Sequence, residues 1–94
     1  MAGVTLKGYI LIPEADLSAV QAELANHIAL TQAEPGCISF SVTQDSGNPQ
    51  RYNVEEEFES RSAFEAHQER VSDSYWGSVT RNVERHYTIH EETS

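Results

Sequence analysis

His67 raises the first chemical question in this sequence. When residues 61–79 are read with a helical period, His67 lies on one stripe with Phe64 and Val71, and Trp76 continues the apolar pattern. Histidine titrates near neutral pH, with a reference pKa of about 6.5. Two interpretations are open: a buried core histidine with a hydrogen-bond partner, or a base at the wall of a small-molecule pocket.

A pocket around such a base needs flat walls and hydrogen-bond donors, and nearby residues supply both. Tyr75, Trp76 and Tyr87 offer flat aromatic surfaces. Arg70 can hold an anionic group of a ligand. The structural alternative is that Tyr75 and Trp76 are core anchors of a broken helix, so convergence on one cavity is the point that a structure must test.

Glu56 is a candidate partner of this histidine. It alternates onto the same strand face as Phe58, which predicts a buried carboxylate. One interpretation is a salt bridge with Arg70 or Arg85, because a buried charge needs a partner. The other is that Glu56 orients His67 for catalysis.

The other histidines and the single cysteine favour structural roles. His27 lies beside the apolar stripe of its helix, which favours a partnered flank residue, although it is also a candidate ligand contact. Cys37 begins a strand after a turn, as a small buried thiol would. His86 and His90 share a strand face in phase with Glu92, but neighbours on one strand rarely converge on a metal, so no metal site is expected.

The segments that position these residues begin with a strand and a helix. Residues 4–12 alternate as a strand that ends at Pro13 and has apolar side chains on both faces. A long helix follows, with Asp16 or Ser18 as its N-cap. The Pro35–Gly36 pair ends it, because glycine supplies the backbone freedom of a turn.

Residues 37–44 and 51–59 predict a β-hairpin around the turn sequence "DSGNP". The first strand turns three apolar side chains to one face: Ile38, Phe40 and Val42. The second strand turns three carboxylates to the face opposite Glu56: Glu55, Glu57 and Glu59. Either this strand lies near a wet edge, or arginines meet the carboxylates, the candidates being Arg51, Arg81 and Arg85.

A second helix and a fourth strand complete the chain. Ser62 and Glu65 have the spacing of a capping box at the start of the helix. A break follows, where Ser72 or Asp73 can cap a second helical piece. Residues 85–91 alternate again and predict the last strand.

The element order β-α-β-β-α-β predicts an α+β, ferredoxin-like fold in one domain spanning residues 1–94. Its four-stranded antiparallel sheet has both helices on one face. Apolar side chains on both faces of the first strand leave a second surface to cover. The simplest cover is an identical copy, packed sheet against sheet as a homodimer.

Composition bounds the function. Six basic and fifteen acidic residues give a net charge of −9, which argues against nucleic acid and anionic membrane surfaces as partners. No stretch approaches the ~20 apolar residues of a membrane span, and no signal-peptide pattern is expected. One cysteine excludes an intramolecular disulfide and fits the cytoplasm. The glycines form no dinucleotide or P-loop motif.

Specific stretches resemble the antibiotic biosynthesis monooxygenase (ABM) domain family, especially small bacterial members described as quinol monooxygenases. The stretches are "HIALTQAEPGCISFSVTQD", "VEEEF" and "AFEAHQERVSDSYWGSVTRNVERHYTI". The most specific residues are Glu34-Pro35-Gly36-Cys37, Phe40, Glu56-x-Phe58 and His67. The resemblance implies a dimeric α+β barrel.

The same resemblance implies oxidation of quinols or phenols by O2 without flavin, haem or metal. His67 is then the expected base and Glu56 its orienting partner. The expected substrate contacts are Arg70, Tyr75, Trp76, Tyr87 and His27. Haem-degrading relatives use an Asn on strand one and a Trp on the second helix, where this chain has Gly8-Tyr9 and His67, so haem degradation is not expected.

Two other functions remain open. A dimer of this fold can bind or sense a small apolar ligand without turning it over, because one fold hosts many functions. A purely structural dimer with a filled interior is the third interpretation. A cavity beside His67 separates the first two from the third.

Overall fold

The computed structural model describes residues 3–91, in which strands and α-helices follow the order β-α-β-β-α-α-β. The strands form one antiparallel sheet in the order β2-β3-β1-β4, which confirms the predicted ferredoxin-like α+β fold. No helix within this range is both long and apolar enough to cross a membrane. The elements are β1 (Val4–Leu11), α1 (Leu17–Gln32), β2 (Cys37–Gln44), β3 (Arg51–Phe58), α2 (Arg61–Ser72), α3 (Tyr75–Val79) and β4 (Glu84–Glu91).

One face of the sheet carries the hydrophobic core, and the helices cover it. Alternate residues of β1 and β3 point towards this face, and Leu6 and Phe58 are completely enclosed. Val20 of α1, Phe64 of α2 and Trp76 of α3 close the core from above. Burying a side chain such as Leu6 or Phe58 stabilises the fold by about 1.5–3 kcal/mol.

The opposite face of the sheet, which is expected to pack against a second copy, is more polar than the sequence predicts. Lys7 lies 3.7 Å from Glu55, and both side chains are exposed. The Arg51 guanidinium lies 3.8 Å from the centre of the Tyr9 ring, and His86 stacks on the same ring at 4.7 Å. Charged and stacked polar groups therefore occupy the middle of this surface.

Of the two predicted surroundings of the β3 carboxylates, exposure to solvent is confirmed and pairing with the candidate arginines is wrong. β3 is an inner strand of the sheet rather than an edge strand. Within residues 3–91 none of the three candidate arginines forms an ion pair with these carboxylates: Arg51 lies near Asp45, at 3.9 Å, and Glu55 pairs with Lys7. Glu57 stays exposed, so solvent rather than an arginine stabilises its charge.

The turn after α1 depends on Gly36, whose φ is +87°. This left-handed conformation is unfavourable for residues with a Cβ. A Cβ at this position would also lie 2.6 Å from the Cβ of Ala63 on α2. The carbonyl of Gly36 accepts a hydrogen bond from the Glu59 amide at 2.8 Å, which ties the turn to the end of β3.

The helix caps differ from those predicted. Ser60 rather than Ser62 caps α2, because its hydroxyl accepts a backbone N–H at 3.1 Å. Ser74 rather than Ser72 or Asp73 caps α3 in the same way. Each true cap has the extended backbone that places its side chain against the first helical turn.

The predicted cap of α1 is at the right place but makes no capping contact. Asp16 occupies the N-cap position of α1, yet its side chain forms no capping hydrogen bond. A short 3-10 turn, Glu14–Asp16, precedes the helix and gives Asp16 a helical backbone instead.

The start of β2 contains a register shift that moves one predicted core residue outward. Alternation predicts that Ile38 shares the inner face with Phe40 and Val42, but Ile38 is 56% exposed. The pairing with β3 is irregular between Cys37 and Ser39, so one residue is left without its alternating place. Phe40 and Val42 remain buried, and Cys37 packs against the core.

β4 forms an edge of the sheet, and all its side chains are exposed. Its register places Tyr87 beside Gly8 and Ile89 beside Leu6, on the face that the helices cover elsewhere. The helices do not reach this edge, so Ile89 is 51% exposed. The joining of two copies through their sheets stays a prediction.

Replacing Gly36 by alanine is expected to lower the free energy of unfolding by about 1–2 kcal/mol or more, through the left-handed backbone and the contact with Ala63. Gly47→Ala is the matched control, because a Cβ there would meet only the Asp45 side chain, at 3.4 Å. Urea unfolding followed by circular dichroism measures both. Equal stability of the two variants would contradict this account of the turn.

Candidate functional site

A cavity lies between the sheet and the helices, beside His67. Its volume is about 50 Å³. This is smaller than the about 300–1,000 Å³ of typical small-molecule pockets, so a ligand would also occupy the open mouth. The cavity is lined by Ile10, His27, Phe40, Val42, Val54, Glu56, His67, Val71, Trp76, Thr80, Val83, Arg85 and Tyr87.

His67 is held in place by Glu34. The Nδ1 atom of the imidazole lies 3.0 and 3.1 Å from the two carboxylate oxygens, and the His67 side chain is almost fully buried. An ionised carboxylate only accepts hydrogen bonds, so Nδ1 carries a proton. In neutral His67 the other ring nitrogen, Nε2, is therefore the free proton acceptor.

Arg70 holds Glu34 from the side away from the cavity. Its Nε donates to the Glu34 carboxylate at 2.7 Å, and its Nη2 donates to the hydroxyl of Thr31 at 3.1 Å. Thr31 in turn donates to the carbonyl of His27 at 2.8 Å. This network ties α2 to the last turn of α1, and its charged hydrogen bonds are stronger than neutral ones.

Glu56 faces His67 but does not hold it. Its Oε1 lies 3.8 Å from Nε2 of His67, which is beyond hydrogen-bond range. The same oxygen is buried and has no hydrogen-bond partner within residues 3–91. Burial, together with the negative charge of Glu34, raises the pKa of Glu56 to about 7. Glu56 is thus protonated in acid and titrates close to neutral pH.

His27 forms the wall opposite, stacked on Trp76. The two ring centres are 4.2 Å apart and the planes differ by 3°. Nδ1 of His27 is buried, with no hydrogen-bond partner in the described part of the chain. Burial, and then the positive charges of His67 and Arg70, lower the pKa of His27 to about 3. The ring is therefore neutral and has an unused polar atom.

The mouth of the cavity lies at β4. Arg85 and Tyr87 are the exposed lining residues, whereas the lining residues deeper inside are buried. Arg85 donates to the hydroxyl and carbonyl of Thr80, at 3.1 and 3.2 Å. The Tyr87 side chain is 37% exposed, and burial of the remainder raises the pKa of Tyr87 to about 12 against the opposing effect of Arg85. Tyr87 therefore keeps its proton.

The structure brings most of the predicted site residues together. Five of them line the cavity: His27, Glu56, His67, Trp76 and Tyr87. Tyr75 does not, because its side chain is 64% exposed on the outside of α3. Arg70 contacts Glu34 and Thr31 and does not line the cavity, and its contact with a substrate stays a prediction.

The structure also corrects the roles expected of two histidine neighbours. Glu56 pairs with neither Arg70 nor Arg85, and the residue that orients His67 is Glu34. His27 lies on the buried stripe of α1 rather than beside it.

Glu34 is a site residue that the sequence reasoning missed, although it lies in the most specific part of the resemblance. The spacing of α1 contains a signal for it. Val20, Leu24, His27 and Thr31 recur at intervals of four and three, and Glu34 continues the series. Polar residues that continue a buried stripe indicate a hydrogen-bonded network, because buried polar groups need hydrogen-bond partners.

Metal ligation finds no support in the described part of the chain. Within residues 3–91 no three His, Cys, Asp or Glu side chains come together as metal ligands would. His86 instead lies 3.3 Å from Glu84. Glu92, the third member of the candidate set on β4, lies outside the described residues.

The cavity can therefore bind a small, mostly apolar ligand and move a proton. Aromatic and aliphatic side chains form its walls, and the proton acceptor Nε2 of His67 and the carboxyl of Glu56 face it. Groups whose pKa values are shifted by burial in a cavity are typical of functional sites.

Comparison with known proteins assigns the family. The model of the antibiotic biosynthesis monooxygenase family matches residues 4–72. The chain belongs to the ABM family. No curated protein matches it significantly.

Solved structures share the fold of this ABM domain. A protein of unknown function from Bacteroides thetaiotaomicron, described as a possible oxidoreductase, has a TM-score of 0.80 and 16% identity, covering 97% of this chain and 98% of that one. A protein from Nitrosomonas europaea, named provisionally as an antibiotic biosynthesis monooxygenase, has a TM-score of 0.74 and 18% identity over 96% of both chains. At such identities the similarity concerns the fold alone.

Replacing Glu34 by glutamine is expected to reverse the tautomer of His67. Arg70 would keep the side-chain oxygen of the introduced amide, which turns the amide NH2 towards Nδ1 of His67 and moves the imidazole proton to Nε2. Ring-nitrogen chemical shifts measured by NMR at about pH 8, where imidazole is neutral, report the tautomer. Glu69→Gln, an exposed change on α2, is the control. An unprotonated Nε2 in Glu34→Gln would contradict the assigned role of Glu34.

Replacing Glu56 by glutamine is expected to change how stability depends on pH. The folded pKa of about 7 exceeds the ordinary value of 4.5, so Glu56 binds more protons in the folded state between these values and its own contribution to stability falls as pH rises. Relative to Glu56→Gln, wild type should lose on the order of 3 kcal/mol between about pH 4.5 and 8. Urea unfolding across this range measures it.

Glu57→Gln is the control for this experiment, because Glu57 neighbours Glu56 on β3 but is exposed on the other face. Its difference from wild type should not vary in this way. If Glu56→Gln and Glu57→Gln gave the same pH dependence, Glu56 would have an ordinary pKa.

Proposed function

We propose that this ABM protein is a cofactor-independent monooxygenase that oxidises a quinol or phenolic small molecule with O2, with His67 as the base. One observation carries the proposal: Glu34 binds Nδ1 of a buried His67, which leaves Nε2 as the free acceptor at a cavity walled by aromatic rings. Membership of the ABM family supports oxygenase chemistry.

The first step is removal of the hydroxyl proton of the substrate by Nε2 of His67. A phenolate gives up an electron to O2 far more readily than a phenol, so the base makes the substrate reactive. Glu34 stabilises the imidazolium that forms, through its contact with Nδ1. The stacked pair of His27 and Trp76 offers a flat wall for the aromatic ring.

The later steps need no electrons beyond those of the substrate. The phenolate transfers one electron to O2, and the two radicals join to form a carbon–oxygen bond. The hydroperoxide loses its ring C–H proton and breaks its O–O bond. His67 returns a proton to the leaving oxygen, which departs as water. One hydroquinone and one O2 thus give one hydroxyquinone and one water.

The protein is proposed to act as a homodimer with one cavity in each subunit. Support comes from β4, where Tyr87 and Ile89 leave apolar surface exposed at the edge of the sheet. The polar opposite face means that a sheet-to-sheet contact would also bury charged groups such as Lys7 and Glu55. Sedimentation of the purified protein reports the mass, and a single-subunit mass would exclude the dimer.

A second candidate is a binding or sensing module without turnover. One buried polar atom each of His27 and Glu56 has no hydrogen-bond partner among the residues that the structure describes, which favours a bound ligand whether or not it reacts. Such a module would be stabilised by an aromatic ligand without consuming oxygen.

His67→Ala is expected to reduce O2 uptake with an electron-rich hydroquinone in metal-free buffer by at least about 100-fold, since a positioned base contributes that much or more. An oxygen electrode measures the rate. His90→Ala is the matched control, because His90 lies on exposed β4. Circular dichroism checks that both variants remain folded.

Oxygen consumption separates the two candidates. A folded His67→Ala protein as active as His90→Ala would exclude His67 as the base. Ligand-induced stabilisation of the wild-type protein without any oxygen uptake would favour the binding module over the enzyme.

A further inference from the structure

Within residues 3–91, the cation at the mouth of the cavity has no acidic partner. All six basic residues lie within residues 3–91, and four of them have a carboxylate within 4 Å: Lys7, Arg51, Arg61 and Arg70. Within that range Arg81 and Arg85 do not, and of these two only Arg85 lines the cavity. In a chain with fifteen acidic residues, an unpaired cation at a binding cavity is a specific feature.

Neutral acceptors hold Arg85 at the mouth. Its Nη2 donates to the carbonyl and hydroxyl of Thr80, at 3.2 and 3.1 Å, and its Nη1 approaches the Val83 carbonyl at 3.4 Å. These contacts fix the guanidinium without neutralising its charge. A planar guanidinium with donors to spare is well suited to a carboxylate.

Arg85 and the His67–Glu56 end lie at opposite ends of the cavity. Through β1, Glu56 is in register with Leu6, and Arg85 with Ile10, which puts them four residues apart along the strands and two strands apart across the sheet. Their backbones are therefore roughly 13 Å apart along the strands and roughly 10 Å apart across the sheet. The two side chains reach inward from those positions, so they would contact different ends of one ligand.

We infer that the substrate is a phenol that carries a carboxylate, with its hydroxyl at His67 and Glu56 and its carboxylate at Arg85. The inference rests on the proposed aromatic substrate and names its class. The Tyr87 hydroxyl lies beside Arg85 and adds a neutral donor for the same carboxylate. Arg85 and Tyr87 select the substrate, whereas His67 reacts with it.

Binding of a matched pair of ligands tests this class without any need for turnover. 4-Hydroxybenzoate and 4-hydroxybenzamide have the same shape and differ in charge. By titration calorimetry, wild type is expected to bind the acid at least about tenfold more tightly than the amide, as a charged bidentate contact would give. Arg85→Gln should bind both with equal affinity, and Arg85→Lys should keep part of the preference.

Arg81→Gln is the control, because it removes the other unpaired cation from an exposed site outside the cavity. It should keep the wild-type preference for the acid. Equal binding of acid and amide by wild type, no binding of either, or an unchanged preference in folded Arg85→Gln would each overturn the inference. Preference for the acid without oxygen uptake on any phenolic acid would leave the anion site standing and refute the monooxygenase.

Discussion

The shared Glu34 carboxylate is the constraint on which the rest of the site depends. It accepts hydrogen bonds from His67 and Arg70 of α2, although it lies in the turn that follows α1. One buried anion thus joins two helices and decides which nitrogen of His67 is free. Gly36 makes this possible, because its left-handed backbone lets α2 approach closely enough for the contact.

The polar groups that line the cavity are mostly uncharged. His27 is neutral, Tyr87 keeps its proton, and Glu56 is protonated below about pH 7. The Glu34–Arg70 ion pair lies outside the cavity lining. The charged guanidinium of Arg85 lies at the mouth. Such a layout lets an aromatic ring enter without desolvating an ion pair, which is the costly step in binding to a charged pocket.

Periodicity predicted the elements and the inner faces of β1 and β3, because burial imposes regular spacing on a sequence, but it left open whether His67, Glu56 and Trp76 line one cavity. It failed where one residue breaks the regularity, as at Ile38 beside the bulge of β2. It also missed Glu34, which follows the end of its helix and meets His67 across 33 positions of chain. Contacts of that kind depend on packing rather than on local pattern.

Folding shifts the pKa values of His27 and Glu56 in opposite directions, so proton release from one group offsets proton uptake by the other. Between pH 4.5 and 6.5, folding releases a proton from His27 and takes one up at Glu56. The changes of stability with pH that these two groups cause therefore cancel. Below pH 4.5 only His27, of these two groups, still differs between the folded and unfolded states, and the fold then weakens with acid. The combined contribution of these two groups to stability is therefore nearly constant in mildly acidic surroundings.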